Sequence, residues 1–196
     1  MRVRILAALS AALLATAVAP AAAFAAPDIG VPLKGTIWTT MASVPPGECF
    51  IGDQKGDRLT IVENGQFTNS TLTHLGLVTL VQHQCVVATE YQDSWADPDS
   101  GMAPPAAGLI EVLDATITAA NGDTLTLASE PVEFQTFTPA GIDPEAGPLP
   151  IAFSGTLNIT GGTGRFASAD GSAHFEGMYC FRVNGGMYTL AGRLIR

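Results

Sequence analysis

The sequence predicts an all-β protein, an antiparallel up-and-down barrel of about eight strands, on three observations. Apolar and polar residues alternate with a period of two through most of the chain. Asn-Gly pairs stand between the alternating runs at 64–65, 121–122 and 184–185, and both residues tolerate the positive φ of tight hairpin turns. After residue 26 no stretch carries sustained apolar spacing at three and four residues, the mark of a helix packed on a core. Three tight hairpins imply strands that follow one another in sequence, and a long meander removes its exposed edges by closing. A β-sandwich is the alternative, because alternation alone does not show closure.

Residues 1–25 read as a secretory signal peptide. Arg2 and Arg4 begin it, a small apolar stretch runs from Ile5 to Val18, and Ala23-Phe24-Ala25 forms a cleavage site. The apolar run is Ala-rich and ends at Pro20, so a stable membrane anchor is not expected. Residues 26–196 then form a single domain, secreted or periplasmic. The whole chain has 196 residues and a net charge of -9; without residues 1–25, seven basic side chains face 18 acidic ones and the charge is -11. So acidic a surface lacks the clustered Lys and Arg that a phosphate backbone requires, which excludes nucleic acid as a partner.

Within the domain, strands are expected at 33–42, 57–63, 71–90, 109–119, 123–128, 132–138, 151–159, 172–183 and 186–195, the third long enough to bend. The cleanest alternation sets Ile151, Phe153, Leu157 and Ile159 against Ala152, Ser154, Thr156, Asn158 and Thr160. Ala173, Phe175, Tyr179, Phe181 and Val183 form a second apolar face, opposite His174 and Glu176. Residues 93–108 and 139–150 are rich in Pro, Gly and Asp and read as long loops. The first carries Asp93, Asp97 and Asp99 but lacks the bidentate Glu of a calcium loop, so it reads as a solvated acidic loop.

An oxidising compartment favours pairing two of Cys49, Cys85 and Cys180, and spacing does not choose which. In a closed barrel all three fall toward one rim. A bridge from Cys49 to either partner would pin the Pro45-Pro46-Gly47 loop over that barrel end. No C-x-x-C pair is present and no metal site or cofactor is expected. His74, His83 and His174 have no partner carboxylate specified by the sequence beyond the neighbouring Glu176, and no G-x-S-x-G turn supplies a nucleophile. The candidate ligand pocket is therefore an apolar one: Phe153, Leu157, Phe175, Tyr179 and Phe181 facing inward, with Trp38 and Tyr188 lining or covering a mouth.

The most distinctive segment is Ile159-Thr160-Gly161-Gly162-Thr163-Gly164-Arg165-Phe166-Ala167-Ser168-Ala169-Asp170-Gly171. Gly161, Gly162 and Gly164 permit a sharp reversal, and Phe166 turns back to plug a barrel end. The segment resembles the turn I-T-G-G-T-G-x-[FY]-x-x-A-x-G of the allene oxide cyclase-like barrel group and, more loosely, the dirigent and calycin-like barrels. Thr73-His74-Leu75-Gly76 and Asn121-Gly122-Asp123-Thr124-Leu125 are similar to features of exported bacterial members, whereas Asp170 departs from the small residue expected there. The resemblance implies a barrel whose interior, in the plant cyclases and some bacterial polyketide cyclases, shapes an apolar substrate, and whose relatives form dimers or trimers. It carries over no catalytic residue.

Three functions follow as expectations. The first is binding of a small apolar molecule, or a scaffold role. The second is a cofactor-independent cyclase or isomerase working inside the barrel. The third is an interaction or inhibitor protein acting through the long loops. An apolar cavity of a few hundred cubic ångströms, on the order of known ligand pockets, favours the first two; a packed interior favours the third.

Overall fold

The computed structural model describes residues 30–42, 47–63, 70–98 and 101–195. The expected signal peptide, Pro45-Pro46, the Asn64-Gly65 turn and Asp99 lie outside the described residues. Eleven strands follow in chain order: β1 (Val31–Met41), β2 (Gly47–Ile51), β3 (Gln54–Glu63), β4 (Thr71–Leu72), β5 (Gly76–Tyr91), β6 (Pro105–Ala119), β7 (Thr124–Ser129), β8 (Val132–Thr136), β9 (Ile151–Gly162), β10 (Asp170–Cys180) and β11 (Gly185–Ile195). There is no α-helix among the described residues.

Every strand pairing is antiparallel. β7 and β8 run in one direction and pair end to end with β6 on one side and β9 on the other. They form one position interrupted at Glu130-Pro131, where proline has no N–H to give a ladder. β3 and β4 share a position between β1 and β5 in the same way. The positions β1, β3/β4, β5, β6, β7/β8, β9, β10 and β11 are visited in chain order, and β11 returns to pair with β1 along Val31 to Thr39. The sheet is thus a closed eight-position ring with the expected meander connectivity. Its joints are uneven: β1 and β3 share three residue pairs, β10 and β11 share eleven.

Alternation puts one face of each strand except β2 inside this ring. Leu33, Ile37, Leu125, Leu127, Leu157, Phe175, Leu190 and Leu194 are all buried in a single core. In β6 the buried face switches from Ile110 and Val112 to Ala115 and Ile117, because a bulge at Leu113 inserts one residue opposite the His83/Gln84 step of β5.

One end of the ring is closed. The chain reverses at the end of β9 through Gly161 at φ 137° and Gly164 at φ 57°, values that disfavour any side chain. Phe166 follows in a 3-10 turn, fully buried in the core. At the other end β1, β5 and β10 terminate while β3, β6 and β11 begin. This rim is the open end.

Three details depart from the sequence reading. β2 is an unexpected strand, which pairs only with the first half of β3. The expected run 71–90 breaks at Thr73–Leu75, where His74 takes φ 66°, leaving the short β4 and the long β5. The expected run 172–183 stops at Cys180; Phe181–Val183 winds into a 3-10 turn closed by Asn184 at φ 46°, so Val183 is 72% exposed instead of buried.

The β2–β3 hairpin folds over the outside of the ring. Cys49 and Ile51 pack there on Cys85 and Val87, with Leu109 and Leu113 alongside, as a second small core. Gly56 permits the approach: a Cβ there would stand 2.5 Å from the Val86 carbonyl oxygen.

Candidate functional site

The interior of the ring is filled. The space left inside is about 20 Å³, bounded by residues that include Ile37, Gln82, Leu157, Phe175, Tyr188 and Leu190. That is room for a single water. Phe153 packs its ring 6.1 Å from Phe175 and 5.4 Å from Tyr188, so the expected pocket aromatics fill the volume they were expected to line. Phe153, Leu157, Phe175, Tyr179 and Tyr188 all belong to the main core. Trp38 needs a correction: it alternates with the buried Ile37 and Thr39, so it stands half-buried on the outer face of β1, away from any mouth.

Sequence reasoning missed the polar groups within this core. Gln82 and Gln84 lie in phase with Val78 and Leu80 on the buried face of β5, a signal present in the alternation itself. The Gln84 amide donates to the Tyr188 hydroxyl at 3.0 Å, while Thr39 Oγ1 and Gln82 Nε2 find no partner of good geometry. Burial pushes the Tyr188 hydroxyl up to about 12, against the opposing pull of its Gln84 and Gln82 contacts. Nearer the open end, the Tyr179 hydroxyl donates to Asn184 and accepts from the Met41 N–H at 3.3 Å, fastening the β10–β11 turn to the end of β1. Burial raises Tyr179 to about 12 as well, the Met41 hydrogen bond opposing and the neighbouring Cys180 adding to the rise.

Both tyrosines ionise near pH 10 in an unfolded chain, so the folded state holds their protons more tightly. Their contribution is complete below pH 10 and is lost as pH rises from there toward about 12. Stability measured by denaturant titration is expected to fall across this window, by about 2–3 kcal/mol for Tyr188 alone. Tyr188→Phe is expected to flatten the fall; an unchanged slope in that variant would refute the assignment.

The open end holds a real cavity of about 520 Å³. Met41, Leu59, Val86, Ala88, Met102 and Phe181 supply its apolar lining. Phe181 is the one expected pocket residue found here, with its ring edge-on to Tyr179 at 5.3 Å. The two long loops build and brace this rim. Gln92 donates to the carbonyls of Pro105 and Leu149 and accepts from the Leu149 N–H at 2.6 Å. Arg182 donates to the carbonyls of Asp143, Gly147 and Pro148. The loops are therefore clamped to the rim and to each other.

Other groups of chemical interest lie outside the ring. A broad open saddle of about 1080 Å³ crosses the outer faces of β6, β8, β9 and β10 and includes Glu133 and Glu176. His174 stands 3.6 Å from Glu176, both well exposed, as their shared strand face implied. His83 Nδ1 lies 2.7 Å from Asp114 at the β6 bulge, a pairing the sequence did not reveal, but neither residue borders a cavity.

Cys49 and Cys85 form a disulfide with Cα atoms 5.8 Å apart, and Cys180 is free and half-buried. The bridge pins the β2–β3 hairpin to the outer face of β5; Pro45 and Pro46, the loop expected over the barrel end, lie outside the described residues. Among the described residues no cluster of three or more His, Cys, Asp or Glu is placed to hold a metal ion, and no helix is long and apolar enough to cross a membrane. No family model, curated protein or solved structure matches the chain.

Proposed function

We propose that this is an exported protein that binds a small apolar molecule at the open end of a filled barrel. The observation that carries this reading is the contrast in volume: about 520 Å³ of apolar-lined space at the mouth against about 20 Å³ inside. Ligand sites generally fall near 300–1,000 Å³ and are lined mostly by apolar side chains with a few polar groups. The packed interior then serves as the rigid scaffold on which the loops are braced. Export is supported by the signal-like residues 1–25 and by the disulfide, which suits a secreted or periplasmic setting. The resemblance of residues 159–171 to the allene oxide cyclase-like group supports a ligand-handling barrel, with the ligand at the rim instead of the centre. The cyclase or isomerase reading loses its substrate chamber, since a substrate inside the ring would have to displace core side chains.

A second reading, an interaction protein acting through its loops, is favoured by the packed interior and by one further observation. Ile142 and Val183, on the second loop and the β10–β11 turn, are 41% and 72% exposed at the same rim. Native mass spectrometry of the protein purified from its export compartment separates the two, because a co-purified small molecule supports the first and a protein partner the second. Ala88→Trp and Ala103→Trp each place an indole in the mouth. Both are expected to abolish ligand retention with little change in melting temperature. Retention by two folded variants would overturn the mouth as the site.

A further inference from the structure

We infer that the mouth is built for an organic cation, a small molecule with an apolar body and a positively charged nitrogen. The inference rests on the reading of the mouth as the ligand site and adds the chemical class of its occupant. Two features beyond the apolar lining carry it. Asp57 and Asp93 both line the cavity, from the start of β3 and from the first turn of the 92–104 loop. Asp57 lies in phase with the inward-facing Leu59 and Ile61 on β3 and opposite Val86, so its carboxylate belongs to the cavity side of the strand. Two aromatic rings, Tyr91 and Phe181, line the same space, and the face of an aromatic ring attracts a cation.

Among the described residues no basic side chain forms an ion pair with either carboxylate. No lysine, arginine or histidine is among the residues lining the mouth. Arg58, next to Asp57 in the chain, pairs with Gly47 and Cys85 and so lies on the outer side of β3. Lys55 is engaged by Glu48, Arg165 by Asp123, and Arg182 by three loop carbonyls. Among the described residues Asp57 and Asp93 make no salt bridge. An acidic protein thus presents its apolar mouth with two carboxylates and two aromatic rings together. A neutral hydrophobe would gain nothing from the carboxylates, and an anion would be repelled by them and by the net charge of the chain.

The test compares three probes of one shape and different charge: naphthylethylamine, naphthylethanol and naphthylpropionate, titrated by calorimetry at low ionic strength. The amine is expected to bind about five- to tenfold more tightly than the alcohol, given an exposed ion pair and an aromatic contribution. The propionate is expected to bind weakest. The amine's advantage should shrink in about 0.5 M salt, where the Debye length falls to a few ångströms. It should also vanish in Asp57→Asn/Asp93→Asn while alcohol binding persists, which shows that the double variant is folded. An amine preference unchanged in that variant overturns the role of the carboxylates. Equal binding of amine and alcohol by the wild type, lost for both in Ala88→Trp, overturns the cationic class and leaves the mouth intact. Failure of all three probes to bind overturns the cation and the mouth together.

Discussion

Replacing Phe166 with alanine is expected to destabilise the protein by about 3–5 kcal/mol, the range for deleting a fully buried aromatic ring. Its side chain has no solvent exposure and belongs to the main core at the closed end of the ring. The site has little freedom to collapse. Gly162 already sits so close that a Cβ there would stand 2.1 Å from the Thr124 carbonyl oxygen. Above the ring, Arg165 lies 4.8 Å from its centroid and is tied to Asp123 at 3.2 Å. The cavity would therefore persist, adding to the lost transfer energy. In a domain of this size the loss corresponds to a fall in melting temperature on the order of 10 °C. Phe166→Leu should recover much of it, and Arg165→Ala, which removes a partly exposed pair, should cost less than about 1 kcal/mol. A loss below about 1 kcal/mol for Phe166→Ala would show that this ring does not plug the barrel.

The second large effect is expected from the disulfide. Cys49 and Cys85 are 36 residues apart, and a crosslink closing a loop of that length stabilises by about 4 kcal/mol in the chain-entropy account. Cys49→Ser, or reduction, should therefore lower stability by about 2–4 kcal/mol in a denaturant titration. The effect has an address. The bridge holds the β2–β3 hairpin on the outer face of β5, so hydrogen exchange should accelerate first in residues 47–58, before the β9–β10–β11 face of the ring. Asp57 lies in that segment, Leu59 follows it in β3 and both line the mouth, so affinity for the proposed ligand should fall along with the hairpin's protection. Non-reducing mass mapping should find one free thiol, at Cys180. Three free thiols in protein prepared without reductant would refute the bridge.

How far the sequence reached differs from element to element. The turn through Gly161, Gly164 and Phe166 was legible because its signal is local: glycines where φ is positive, and an aromatic placed to fold back. The placement of Trp38 was legible too, since counting in twos from Leu33 and Ile37 sets it on the outer face of β1. Its polar handle suggested a mouth, but strand parity is the stronger constraint. β2 was hidden because five residues after Pro-Pro-Gly carry too short a pattern, and its pairing depends on a close approach at Gly56. The partner of Cys49 was hidden for the same reason, since that hairpin fold brings it to Cys85. Of the mouth only Phe181 was legible. Met41, Leu59, Val86, Met102 and Phe181 come from five separate segments, and nothing in any one of them marks the others.

By itself the sequence determined the all-β class, the meander of neighbouring strands and the position of the closing turn. These follow from a two-residue period and from turn chemistry, which act over a few bonds. Only the tertiary structure decided that the ring closes, that its interior is full and that an apolar-lined cavity lies at one rim. Closure depends on the accumulated twist of eight positions, and filling depends on the summed volumes of side chains that meet only after it.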